Sequence, residues 1–143
     1  MEDRPKSEWV QEQIDHPVVK AFNNILADSL AEMGLPPESR GRLAVAVAGD
    51  HPEAVQTAMS LVNDTGFDPV FSGTIAESWR QQPCTASCCC NWDAATMLPA
   101  LALAKKGESP ARLTSLYASF AKPNENPSHA EIIDNNRSIN WPV

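Results

Sequence analysis

The chain has 143 residues and a formal net charge of −7, from 11 basic and 18 acidic residues. Hydrophobic residues make up 43% and charged residues 20%, which is apolar enough for a packed core and excludes wholesale disorder. The acidic balance disfavours nucleic acid and anionic membranes as partners. No apolar stretch approaches a membrane span, and the N-terminal MEDRPKSEWV lacks the apolar region of a signal peptide. A soluble, cytoplasmic chain is therefore expected.

In chain order, Pro17–Phe22 reads as a short apolar strand. Asn24–Met33 follows as a helix, with Ile25, Leu26, Leu30 and Met33 at helical spacing and Gly34 as its stop. Leu43–Ala48 is an unbroken apolar run that ends at Gly49-Asp50, the pattern of a strand covered on both faces. Pro52–Asn63 is amphipathic, with Asp50 as its expected cap and Gly66 past its end. Phe67–Phe71 is a weaker strand, because Pro69 removes a donor. Strand, helix, strand, helix, strand predicts crossover units and a parallel sheet. After Glu77 no strand is expected. Asp93–Lys106 reads as a helix bent or divided at Pro99, and Pro110–Ala121 as a second helix. Ser128–Ser138 is a third, opened by the capping box Ser128-His-Ala-Glu131, with Lys122–Pro127 as the loop before it. The expected class is α/β: a parallel sheet of about three strands over residues 1–76, then a loop and helical segment over 77–143.

Ligands of open parallel sheets bind beyond the carboxyl ends of the strands. Those ends are Phe22-Asn23-Asn24, Gly49-Asp50-His51 and Ser72-Gly73-Thr74, a set of amides, a carboxylate and hydroxyls suited to a small polar ligand. Turn and cap chemistry selects the same residue types. His16, His51 and His129 are scattered and form no metal-ligand spacing. Cys84, Cys88, Cys89 and Cys90 lack the second pair that completes a tetrahedral set, and adjacent side chains are expected to diverge. They read as reduced loop thiols, with a redox or opportunistic metal role as the alternative. Trp79 and Arg80 suit either a pocket wall and a phosphate contact or core packing and a surface pair.

The segments Ser7–Val10, Pro17–Ile25, Ala48–Asp50, Asp64–Val70 and Ala76–Pro83 occur here in an order that resembles the dinucleotide-binding oxidoreductases related to F420-dependent NADP reductase. Val19-Lys-Ala-Phe-Asn23 and Glu77-Ser-Trp-Arg-Gln-Gln-Pro83 carry most of it, and Ser128-His-Ala with Asn136–Asn140 extends it. The resemblance implies a Rossmann-like fold, NADP as cofactor, hydride transfer, and contacts to the cofactor from Ala21, Phe22, Asn23 and Asn24. Such proteins open with a strand, a Gly-x-Gly-x-x-Gly loop and a helix that hold the pyrophosphate. The six glycines here are Gly34, Gly41, Gly49, Gly66, Gly73 and Gly107, and none has that spacing. The chain therefore reads as the C-terminal half of such a domain, with a partner supplying the rest or a homodimer formed through the Pro17–Phe22 edge. A non-catalytic remnant or protein-interaction module is the alternative function. The small-molecule substrate is not legible.

Overall fold

The computed structural model describes residues 4–120 and 126–141. In chain order the elements are α1 (Lys6–Gln13), β1 (Val19–Lys20), α2 (Ala27–Glu32), β2 (Ala44–Gly49), α3 (Pro52–Asp64) and β3 (Asp68–Gly73). A 3₁₀ helix (Ile75–Gln81), α4 (Ala94–Leu103), α5 (Ser109–Phe120) and α6 (His129–Asn140) follow. The class is α/β, a three-stranded sheet followed by a helical C-terminal region.

β2 is the central strand and is buried at all six positions. Its pleat sends Val45 and Val47 to one face, where they pack with Val55 and Val62 of α3 and with Phe67. Ala44 and Ala46 go to the other face, against Val70, Met97 and Leu101. The small side chains on that second face let α4 lie close. Covering on both faces is what the unbroken apolar run required.

β2 and β3 are parallel, with Ala44 opposite Asp68 and Ala46 opposite Val70. β1 corrects the expectation of an all-parallel sheet. It runs antiparallel to β2, with Val19 opposite Gly49 and Lys20 opposite Ala48. The connection explains the reversal. A parallel crossover must carry the chain back along the sheet, yet α2 has six residues, roughly 9 Å at helical rise. That helix alone does not traverse a six-residue strand, roughly 20 Å long. β1 instead pairs with the carboxyl end of β2, from Gly49 back to Ala48, and the chain after it continues toward the end where β2 begins. Phe22, at φ +62°, makes the turn that starts this short return.

Several expected boundaries shift. The helix expected over Asn24–Met33 is α2, which begins only at Ala27 with Leu26 at its N-cap position. His51, not Asp50, occupies the N-cap position of α3. Asp93, at the expected start of its helix, caps α4, accepting from the Thr96 N–H at 2.8 Å, and Pro99 lies within that helix. The Ser128/Glu131 capping box is formed. Of the loop Lys122–Pro127, residues 122–125 lie outside the described residues, as does Ala121. Sequence patterning misses α1 and the 3₁₀ helix, the first because its polar sequence has no apolar stripe.

Two polar hubs tie the elements together. The Arg42 guanidinium is 4% exposed and holds Asp68 at 2.6 Å. It also donates to the carbonyls of Leu35, Asn63 and Gly66 and to Asn63 Oδ1. It thereby closes the C-terminal end of α3. Gly34 and Gly66 meet back to back there, and a Cβ on Gly66 would lie 2.7 Å from Gly34 Cα, with φ at +95° besides. Gln81, wholly buried, accepts from Ser72 and donates to Asn23 Oδ1 and to the carbonyls of Lys20 and Ala46. One amide thus links all three strands.

Candidate functional site

The reversal of β1 separates the three polar strand ends. Gly49-Asp50 and Thr74 stay together at the carboxyl ends of the parallel pair. Asp50 Oδ1 accepts from the Ile75 N–H at 2.9 Å, which fastens the end of β2 to the start of the 3₁₀ helix. Its Oδ2 accepts from Gln11 Nε2 at 2.8 Å, which fastens α1 as well. These two bonds hold the Asp50 carboxyl below its ordinary range, the Gln11 bond contributing more than the Ile75 N–H.

A cleft of 390 Å³ opens here, lined by Gly49, Asp50, Val55, Gln56, Phe71 and Thr74 among others. Phe71 is 51% exposed, an aromatic face presented at the rim. Gly49 keeps the strand end low: a Cβ there would meet Val55 Cγ2 at 2.7 Å. The wall is mostly apolar, with a carboxylate and a hydroxyl at its edge. It can stack a planar ring and accept hydrogen bonds from hydroxyl or amine donors. An anionic Asp50 at the mouth repels phosphate.

Asn23 and Asn24 lie elsewhere. Running antiparallel, residues 19 to 24 pass down β2 away from Gly49, and Asn24 Oδ1 accepts from the Ala46 N–H at 3.2 Å. Asn24 is 3% exposed, and its Nδ2 donates to Ser87 O at 3.3 Å. Its carbonyl accepts from the Cys89 N–H at 2.8 Å. Asn23 Nδ2 donates to Gln81 O at 2.6 Å and Asn23 Oδ1 accepts from Gln81 Nε2 at 2.9 Å. One N–H and one lone pair of Asn23 remain, on a half-buried residue. Ala21 and Phe22 pack against the α3-side core. Trp79 is half-buried under the Arg80 guanidinium, 4.4 Å from the ring centroid.

The fold also joins residues that sequence spacing keeps apart. Ser29 Oγ donates to Asn91 Oδ1 at 2.9 Å and sits 2.8 Å from His129 Nε2. This is not a nucleophile and its base. A hydroxyl has one hydrogen, and with that on Asn91 the imidazole must donate to Ser29 rather than take its proton. Ser29 is moreover wholly buried. The trio latches α2 to α6. Separations of 62 and 100 residues in sequence left no signal for it.

The cysteine segment is packed tightly against the helical region. Cys84, Cys88 and Cys90 are buried and Cys89 is half-buried. Against the expectation that adjacent thiols diverge, Cys88 Sγ and Cys89 Sγ approach to 3.4 Å. The positive φ of Cys89, +57°, turns its side chain back onto its neighbour. Among the described residues no group of three or more His, Cys, Asp and Glu side chains is placed to hold a metal. No helix among them is long and apolar enough to cross a membrane.

Fold and cleft together define a small α/β protein whose parallel strand pair ends at a rimmed cleft. No family model matches the chain. Over 109 residues it is 78% identical to the protein YjhV of Escherichia coli, a match that covers 76% of this chain and 80% of YjhV. The chain belongs to the YjhV family. A crystal structure of a hypothetical protein from Sinorhizobium meliloti is 34% identical, with a TM-score of 0.49. That match covers 55% of this chain and spans 38% of the other.

Proposed function

We propose that the chain is an NAD(P)-oxidoreductase-type protein that binds the nucleoside part of its cofactor in the cleft at the carboxyl ends of β2 and β3. The observation that carries this reading is the Asp50 carboxylate beside the exposed Phe71 ring. A carboxylate at a strand end accepts from ribose hydroxyls, and an aromatic face stacks a base or a nicotinamide. The pyrophosphate has no comparable seat. The chain has no Gly-x-Gly-x-x-Gly, Asp50 repels phosphate, and Asn24 is already fully engaged inside the fold. The residues present thus fit a nucleoside and not a whole dinucleotide. Hydride transfer, implied by the resemblance, belongs to an assembly in which a glycine-rich segment from outside these 143 residues grips the phosphates.

The test is calorimetric titration with NADP and, separately, adenosine and nicotinamide riboside. Saturable binding that weakens about tenfold in Asp50→Ala, the loss of roughly 1.4 kcal/mol, is expected. Heats that never saturate, or affinity indifferent to Asp50, would end this reading.

One observation favours the interaction-module alternative. β1 pairs on one side only, at the sheet's edge. The Lys20 ammonium, the charge nearest that edge strand's pairing positions, is drawn inward to Ser78 O at 3.1 Å and does not guard the edge. Homodimerisation through β1 predicts a sedimentation shift with concentration that a proline at Val19 abolishes.

A further inference from the structure

We propose that Cys88 and Cys89 form a vicinal dithiol that exchanges with low-molecular-weight disulfides, Cys89 attacking and Cys88 closing the pair. Three observations carry it. The two sulfurs lie 3.4 Å apart, nearer than any other thiols described here. Cys89 is the one cysteine of the four with partial exposure. It lines a 150 Å³ cavity together with Cys88, Leu26, Leu116 and Ile132, room for one arm of a small disulfide. Asn140 lines the same cavity, and its buried Oδ1 has no hydrogen-bond partner among the described residues.

The backbone is set for the pair. Cys84, Cys89 and Asn91 have φ of +63°, +57° and +52°, three strained non-glycine residues within eight positions. Strain concentrated in this way belongs to functional segments. The thiols also differ in character. The hydrogen bond from Cys88, outweighing burial, lowers the Cys89 pKa, so Cys89 gives up its proton more readily than Cys88. The same bond, with burial added, holds the proton on Cys88. Burial pushes Cys90 up to about 12 and also raises Cys84, which leaves both as bystanders.

The reaction balances with a disulfide such as oxidised glutathione as oxidant. The Cys89 thiolate attacks one sulfur and forms a mixed disulfide, and the first glutathione thiolate leaves. Cys88 then loses its proton and attacks the Cys89 sulfur, and the second glutathione leaves. The dithiol gives up two electrons and two protons, and the disulfide is reduced to two thiols. Neighbouring Cα atoms stand about 3.8 Å apart, closer than in ordinary disulfides, so the product is strained and readily reduced again. Closing the ring twists the peptide groups through which the Cys89 N–H reaches Asn24 O and the Cys89 carbonyl receives Asn136 Nδ2. The oxidised form therefore loosens α6.

The experiment treats the reduced 143-residue chain with oxidised glutathione, quenches with acid, and reads intact mass and a peptide map. The expected product has lost two hydrogens, retains no glutathione, and carries its bond within the 88–89 peptide. Amide exchange should rise across α6. Cys88→Ser should stop at one glutathione on Cys89. A bond from Cys89 to Cys84 or Cys90, a lasting adduct on the wild-type chain, or a reaction no faster than in the urea-unfolded chain would overturn the proposal. The wild-type map decides the matter even where the variant fails to fold.

Discussion

The sheet and the cysteine segment are held by different forces. Around β2, cohesion is apolar area: Val45, Val47, Val62 and Phe67 are wholly buried and touch one another across two elements. Between the cysteine segment and α6, cohesion is a set of side chains bonded to main-chain carbonyls. Asn136 donates to Cys89 O at 3.0 Å, and Arg137 donates to Cys90 O at 2.8 Å and Asn91 O at 3.2 Å. The Arg137 guanidinium also lies 4.5 Å above the Trp92 ring, which meets Trp141 edge-on at 5.5 Å. Area is non-directional and tolerates small shifts. Hydrogen bonds to fixed carbonyls do not, so a local twist in the cysteine segment reaches α6 while the sheet stays in place.

The strongest way to break this contrast is Phe67→Ala. A cavity in the sheet's core should cost about 3–5 kcal/mol and lower the unfolding midpoint of the whole chain, as read by urea titration. Arg42→Ala comes next. It leaves Leu35 O without its donor, takes one bond each from the Asn63 and Gly66 carbonyls and releases Asp68, for about 3 kcal/mol. Arg137→Ala should cost less, about 1–2 kcal/mol, and locally. Hydrogen exchange should quicken across α6 while the amides of β2 and β3 keep their protection. Loss of protection in β2 after Arg137→Ala would show that the two regions share one cohesion.

The same contrast explains what the sequence made legible. β2, α3, the Asp93 cap and the Ser128 capping box were readable because each is encoded within a few neighbouring residues, as an apolar run, a stripe or a short motif. The direction of β1 was not. Pro17–Phe22 looks like any buried strand, and the deciding fact is the shortness of α2, which the apolar spacing of Asn24–Met33 overstates. Once β1 reverses, Asn23 and Asn24 leave the carboxyl ends of the parallel pair, so one of the three strand ends expected at the cleft goes with them. Asp50 stands at the end of β2 but does not cap α3, since Gln11 and Ile75, not α3, take its oxygens. The Arg42–Asn63, Gln81–Asn23 and Ser29–His129 bonds act across 21 to 100 residues, where no local pattern records them.

The smallest expected effect tests the joint between the cleft and α1. The Gln11 bond is the larger of the two that depress the folded Asp50 pKa, and α1 buries no residue of its own. Its docking should thus follow the charge on Asp50. A depressed carboxyl stabilises the fold above its unfolded pKa, about 3.9. That contribution is lost as pH falls through the lower, folded value. Asp50 is largely exposed, so solvent screening limits the effect to about a few tenths of a kcal/mol. It should surface as faster exchange of the α1 amides below pH 4, ahead of any change in β2. Gln11→Ala should move that loosening up to neutral pH, whereas Asp93→Ala, which removes a helix cap at about 1 kcal/mol, should leave α1 untouched. Equal loosening of α1 in both variants would mean that the helix is held by the fold at large and not by the carboxylate at the cleft.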